Sequence, residues 1–293
     1  MAAVLFGTTG TAQALGPSLS PLVVGAARIA VGAVLLWIVA ASLARRQEGT
    51  TPSWPRLVVG LAGACVAGYQ LLFFAAVHST GVAVGTVVAL GSAPVFAGLL
   101  ARATSGARLQ ARWAACTALA TVGVAVLVSG GETGTVSAVG VALALGSGLM
   151  YAGYTVGAKR LLDAGHAPEA VMARAFGAGA VLLLPVLVVD AAQLTSPAAV
   201  GLAVYLGALP TALAYVLFAR GLRVLPAADV ATLTLAEPLT AAALGLVVLG
   251  EHLSLTAVLG ALLILGGLAA LATGRSPLPP LSGRPAVQRN RAA

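Results

Sequence analysis

The chain alternates between long apolar runs and short polar breaks. With turn residues as punctuation, the pattern gives ten runs, at residues 2–16, 20–43, 57–77, 80–101, 110–129, 136–160, 168–190, 197–221, 226–249 and 253–273. About 20 residues at 1.5 Å each cross a hydrocarbon layer of roughly 30 Å, so all but the first run are long enough to span. The pattern predicts an all-α integral membrane protein of ten transmembrane helices.

One run departs from uniform apolarity. Residues 226–251, PAADVATLTLAEPLTAAALGLVVLGE, place Glu237 and Pro238 near the middle of a span. Proline removes one helix hydrogen bond and is expected to leave the Thr234 carbonyl without its partner. A carboxyl at this depth is costly unless it faces the protein interior or water. Both features belong beside a cavity and not against lipid.

This run has an earlier counterpart. A shift of 144 residues sets Pro94 under Pro238, Gly106 under Gly250, Leu109 under Leu253 and Gly123 under Gly267, with ten identities between residues 94–130 and 238–274. Pro21 and the GAVLL run at Gly32 match Pro168 and the GAVLL run at Gly179 at an offset of 147, and Tyr69 matches Tyr215 at 146. The repeats are expected to cover residues 1–130 and 131–274, followed by a basic, proline-rich and disordered tail at 275–293. Five spans per half is an odd number. The second half therefore enters the membrane from the opposite side, giving an inverted repeat with its interface at the midplane, the architecture of alternating-access carriers.

Composition excludes several classes. Hydrophobic residues make up 59% of the chain and charged ones 8%, against about 25% charged in a soluble domain. The net charge of +8 does not point to nucleic acid, because the basic residues sit at span ends and in the tail. Arg45, Arg46 and Arg56, then Arg102, Arg108 and Arg112, then Lys159 and Arg160, then Arg220 and Arg223 occupy alternate loops, and the intervening loops carry no Lys or Arg. The positive-inside rule puts both termini in the cytoplasm, with Trp37, Trp54 and Trp113 at the cytoplasmic boundary. Cys65 and Cys116 fall within spans as small buried hydrophobes. No metal-ligand cluster, nucleophile elbow or P-loop is present, so neither an enzyme nor a cofactor is expected.

Polar residues inside spans are the candidate chemistry. Thr9 and Gln13 share a face with Phe6, Gln70 lies between Tyr69 and Phe73, and Tyr151 and Tyr154 sit together. A threonine hydroxyl can bond its own i−4 carbonyl, whereas Gln13 and Gln70 cannot satisfy a whole amide that way and point to a wet cavity. Arg28 lies roughly 13 Å into its span by helical rise. It is read either as a contact for a substrate carboxylate or Glu237, or as a snorkelling structural arginine. His78, at an outer span end, is an ordinary interfacial residue or a gate. Pro94 and Pro238 occupy equivalent places and are candidate hinges. Glu237 has Ala93 as its counterpart, so any proton would travel through one half only. Proton antiport and passive facilitation both remain open.

In the second half, PTALAYVLFARGLRVLPAADVATLTLAEPLTAAALGLVVLGEHLSLTAVLGALLILGG, with Thr211, Ala214, Tyr215, Leu222, Pro226, Pro238, Gly250, Glu251 and Gly267 in order, resembles the EamA-type ten-helix exporters of the drug/metabolite transporter superfamily, as does YQLLFFAAVHSTGVAVGTVVALGSAPVFAGLLA in the first half. Two departures stand out. Ala107 replaces a frequent Glu, and Pro210 precedes Thr211, which suggests an extra kink in span eight. The resemblance, close to bacterial aromatic amino-acid exporters, implies a multi-pass protein of the bacterial inner membrane that exports small metabolites. A carrier for drug-like solutes or nucleosides, or a polytopic protein without transport activity, are the alternatives. A zwitterion needs acceptors near its ammonium and donors near its carboxylate. The carbonyls of Leu90 and Thr234, four residues before each proline, would supply the former, and Gln13, Gln70 and Ser92 the latter. Thr9, Phe73, Tyr151, Tyr154, Tyr215 and Glu237 complete the expected substrate site for a neutral amino acid.

Overall fold

The computed structural model describes residues 1–44, 53–129, 137–250 and 254–273. Arg45, Arg46, Gly130, Glu132, Glu251, Gly274 and the tail lie outside the described residues. All described elements are helical: α1 (Ala2–Leu15), α2 (Pro21–Ala44), α3 (Arg56–Thr80), α4 (Val82–Ser105), α5 (Ala111–Val128), α6 (Ala138–Asp163), α7 (Pro168–Val189), α8 (Pro197–Gly207), α9 (Ala214–Val224), α10 (Ala227–Leu233), α11 (Glu237–Val248) and α12 (Leu255–Thr273), with a 3-10 turn at Ala191–Leu194. A π-turn at Ala208–Leu213 joins α8 to α9, and a 3-10 turn at Thr234–Ala236 joins α10 to α11.

Every predicted run is therefore helical. Among the described residues eight helical stretches are long and apolar enough to cross a membrane, including Pro197–Val224 and Ala227–Val248 taken through their irregular turns. The helix at Ala111–Leu127 is apolar but shorter, and α1 spans only 14 residues before Gly16 and Pro17 end it. The chain is an all-α, multi-pass membrane protein.

The prolines explain the irregular turns. Pro210 has no N–H for the Leu206 carbonyl, and the Thr211 hydroxyl donates to that carbonyl instead, at 2.8 Å. The kink expected in span eight is thus a π-turn. Pro238 likewise cannot serve Thr234, but the Thr234 carbonyl is not left alone: it accepts the Glu237 N–H in the 3-10 turn. Helix α4, by contrast, runs unbroken through Pro94. Beside it the Thr121 hydroxyl of α5 donates to the Gly91 carbonyl at 3.4 Å, so a neighbouring helix supports the weakened stretch. Helices α3 and α4 meet at Gly81 alone, whose φ of 82° excludes a side-chain residue from the turn.

Helices approach closely wherever glycine faces a neighbour. A Cβ on Gly123 of α5 would lie 2.7 Å from the Ile264 nitrogen of α12, and one on Gly267 of α12 would lie 2.8 Å from the Cys116 carbonyl oxygen of α5. Gly7 brings α1 against α11 in the same way, 2.8 Å from the Glu237 carbonyl oxygen. Lipid is as apolar as these side chains, so such backbone contact, and not a hydrophobic effect, drives association. The strongest packing is α3 on α6, α5 on α12, α4 on α6 and α2 on α7.

Basic side chains close several helix ends. Arg112 donates to the Ala270 carbonyl of α12 at 2.5 Å, Arg160 to the Thr104 carbonyl of α4 at 2.8 Å, and Lys159 to the Arg223 carbonyl of α9 at 3.3 Å. Each places a cation on the negative end of a helix dipole and satisfies a carbonyl the helix cannot. The charge asymmetry between loops is therefore also a set of caps.

Gly123→Leu should lower the melting midpoint of the detergent-purified protein, because overpacking costs about 1–3 kcal/mol. Gly201→Leu, which meets open space, should leave it within about 0.5 kcal/mol. Equal shifts in the two variants would contradict the role given to close backbone contact.

Candidate functional site

Seven helical segments converge on a largely enclosed cavity of about 110 Å³. Helix α1 contributes Phe6, Thr9 and Gln13, α2 contributes Val24, Gly25 and Arg28, and α3 contributes Tyr69, Gln70, Phe73 and Phe74. Thr86 and Leu90 come from α4, Tyr151 from α6, Tyr215 from α9 and Glu237 from the first turn of α11.

The broken helix explains the position of Glu237. The 3-10 turn ends α10 and restarts the chain as α11, so the carboxylate stands at a helix N-terminus, where the positive end of the dipole favours an anion. The Thr234 hydroxyl stitches the break from both sides: it donates to the Ala231 carbonyl at 2.7 Å and accepts from the Tyr151 hydroxyl at 3.1 Å. A break at membrane depth thus stays anchored to α6.

Arg28 does not pair with Glu237. Its Nη2 donates to the Gln70 Oε1 at 2.7 Å, and the two ion pairs among the described residues, Lys159–Asp163 and Glu169–Arg220, lie elsewhere. Because a guanidinium can only donate, this contact fixes which way the Gln70 amide points. The Gln70 Nε2 is left buried and without a hydrogen-bond partner among the described residues. Gly25, one turn before Arg28, makes the arrangement possible, since a Cβ there would lie 2.5 Å from Gln70 Nε2 and 2.6 Å from Phe74. The cavity therefore holds a cation braced by an amide and a carboxylate on another helix, with no contact that neutralises the two.

Aromatic rings form one wall. Tyr151 and Tyr154 stand 5.0 Å apart between centroids, Phe6 and Tyr215 5.0 Å, and Tyr69 and Phe73 5.9 Å. Tyr154 is 1% exposed and lies behind the wall, with its hydroxyl 3.4 Å from that of Tyr215.

The structure thus brings Thr9, Gln13, Arg28, Gln70, Phe73, Tyr151, Tyr215 and Glu237 together. It places three other candidates away from the cavity. Ser92 donates to the Ala89 carbonyl at 3.3 Å and meets Gly148 of α6 at a helix contact. Tyr154 braces Tyr215. His78 is exposed in the last turn of α3. Pro94 and Pro238 do not line the cavity, although Leu90 and Glu237 beside them do. Phe74, Thr86 and Gly25 were not singled out from sequence. Thr86 lies one helical turn before Leu90, and that spacing was the available signal.

A bundle whose helices break around an enclosed polar cavity with both charge signs is the architecture of a membrane carrier. The fold is shared with a solved crystal structure at a TM-score of 0.77 and 23% identity, covering 92% of this chain and 95% of the other. YwfM, an uncharacterized transporter of Bacillus subtilis (strain 168), is 42% identical over 270 residues, 92% of this chain and 90% of its own length. The EamA-like transporter family matches residues 1–129 and again residues 138–273. The chain belongs to this family of the drug/metabolite transporter superfamily and is a membrane transporter.

Thr234→Val and Tyr151→Phe should each destabilise the protein, and because they remove the same bond their effects should not add. A double-mutant cycle on thermal unfolding is expected to give a coupling of about 0.6 kcal/mol, typical of interhelical bonds in membranes. Strict additivity would show that the bond does not anchor the break.

Proposed function

We propose that this transporter exports neutral amino acids by alternating access, holding the zwitterion between Arg28 and Glu237. The observation that carries this reading is that both groups face one enclosed cavity while making no hydrogen bond or ion pair with each other. A carboxylate brought in by substrate finds the guanidinium already turned by Gln70, with the free Gln70 amide beside it as a further donor. The substrate ammonium meets Glu237, with Thr9, Gln13 and Thr86 as neutral partners. Phe73, Tyr151 and Tyr215 shape the side-chain end. The Thr234 carbonyl already accepts one backbone bond, so Glu237 takes the acceptor role in its place.

The reading includes ten spans in two inverted halves, 1–130 and 131–274, with both termini in the cytoplasm. Three observations support it. The family matches the chain twice, once on each half. The packing partners come in pairs related by the repeat: α3 on α6 answers α8 and α9 on α1, α4 on α6 answers α11 on α1, and α2–α7 and α5–α12 join counterparts. The basic caps all lie at one set of loops. Glu237 has no acidic counterpart in the first half, so coupling to protons, where it occurs, runs through this carboxyl alone.

In proteoliposomes, Arg28→Gln should weaken apparent affinity for a neutral amino acid roughly 10- to 100-fold, since hydrogen bonds to a charged group contribute about 1.5–3 kcal/mol. Glu237→Gln should weaken affinity comparably and abolish uphill uptake driven by a pH gradient while sparing exchange. Unchanged affinity and substrate ranking in both variants would remove the zwitterion site.

For orientation, cysteines replacing Thr195 and Arg108 in a background lacking Cys65 and Cys116 should differ. An impermeant thiol reagent applied to intact cells should label the first and not the second. The reverse pattern would invert the proposed topology.

A further inference from the structure

A second cavity, of about 560 Å³ and open to the surface, lies where the end of α2 and the start of α3 meet α7. Two arginines and two tryptophans line it, none of them used by the transport site. The Arg174 guanidinium lies 3.7 Å from the centroid of Trp54 and 5.2 Å from that of Trp37. Gly177 lets Trp37 lie on α7, since a Cβ there would be 2.8 Å from the indole nitrogen. Cation–π contact with the two indoles holds the guanidinium in place and leaves its N–H groups available to donate.

Among the described residues the charge here is uncompensated. The nearest acid along α7, Glu169, is taken by Arg220 at 2.8 Å, and no acidic side chain pairs with Arg174 or Arg56 among the described residues. His166, in the turn before α7, stacks on Trp54 at 3.8 Å. Burial first and Arg174 second lower its basicity, so it adds no opposing or competing charge at neutral pH. Around the arginines the lining is apolar: Val59 and Ala178 are half-buried, and Val181 is 63% exposed. Arg174 lies six residues into α7, roughly 9 Å from its start by helical rise, the depth at which a span passes from headgroups into hydrocarbon.

We propose that this groove is a binding site for an anionic phospholipid, its phosphate held by Arg174 and Arg56 and one acyl chain lying over Val59 and Val181. Basic pockets between spans take anionic headgroups in this way. A soluble anion would satisfy the arginines but would leave the apolar flank uncovered. The assignment to the cytoplasmic leaflet rests on the orientation proposed above; the site itself does not.

Native mass spectrometry of the purified full-length protein, with phosphatidylglycerol and phosphatidylcholine competing at equal concentration, tests the site. Wild-type protein should retain phosphatidylglycerol with roughly 30-fold preference, as two basic groups near a membrane surface imply. Arg56→Gln and Arg174→Gln should each cut that preference several-fold, and Arg108→Gln, an exposed arginine elsewhere, should not. Arg56 is exposed and unstacked, so its variant decides the matter even where loss of Arg174 disturbs the fold. No preference in the wild type, or an equal loss in Arg108→Gln, overturns the proposal. So does a thermal stabilisation by inorganic phosphate matching that by phosphatidylglycerol, which would mark a free-anion site. Detergent-solubilised protein has no sidedness, so failure here leaves the topology reading to its own labelling test.

Discussion

In hydrocarbon a polar group without a partner has nowhere to turn, and the architecture of this transporter follows from how it meets that constraint. Three spans carry prolines near their middles, and each proline strips a carbonyl of its usual N–H. At Pro210 a side-chain hydroxyl from Thr211 takes the carbonyl, and the helix continues through a π-turn. At Pro238 the Glu237 N–H takes it in a tighter turn, and the helix breaks. At Pro94 the helix stays whole, with Thr121 lending a hydroxyl nearby. A substitute donor reaches the stripped carbonyl at Pro210 and at Pro238, and only the break at Pro238 presents a charged side chain to the cavity.

That difference gives the two halves unequal parts. Sequence symmetry pairs Pro94 with Pro238, but Ala93 stands where Glu237 does, and the first half has no reason to open a helix N-terminus beneath an alanine. The break in the second half orients Glu237, and Tyr151 holds the break to α6 through Thr234. From the other side Arg28 is braced by Gln70, in space that Gly25 provides. Charge asymmetry is thus laid on two halves that both match the family, and the proposed substrate site sits where the two differ.

Much of this was legible in the chain. Hydropathy located every helix, because length and apolarity are properties of single segments. The costly residues Gln70 and Glu237 identified themselves, since a shared interior justifies them at such depth, whereas Arg28 read equally as a snorkelling structural arginine. Ser92 and Tyr154 misled for a common reason: a polar atom on a span can face a cavity or a neighbouring helix, and only packing decides. Ser92 rests against Gly148, and Tyr154 supports Tyr215 from behind. Whether Arg28 would reach Glu237 or another partner was equally hidden, because it depends on the few ångströms separating α2 from α3. The cavity wall contributed by Phe74 and Thr86 carried no signal beyond helical spacing.

The claim that most of this account rests on is that the cavity recognises both ends of a zwitterion. It is tested most directly in wild-type protein by comparing a neutral amino acid with its two single-ended relatives, the decarboxylated amine and the deaminated acid, as competitors of transport in proteoliposomes. The account predicts that the parent competes strongly while each relative is weakened roughly tenfold or more, as expected when a buried charged partner is left unpaired. Equal competition by the amine or the acid would contradict it, because one of Arg28 and Glu237 would then have no part in holding the substrate.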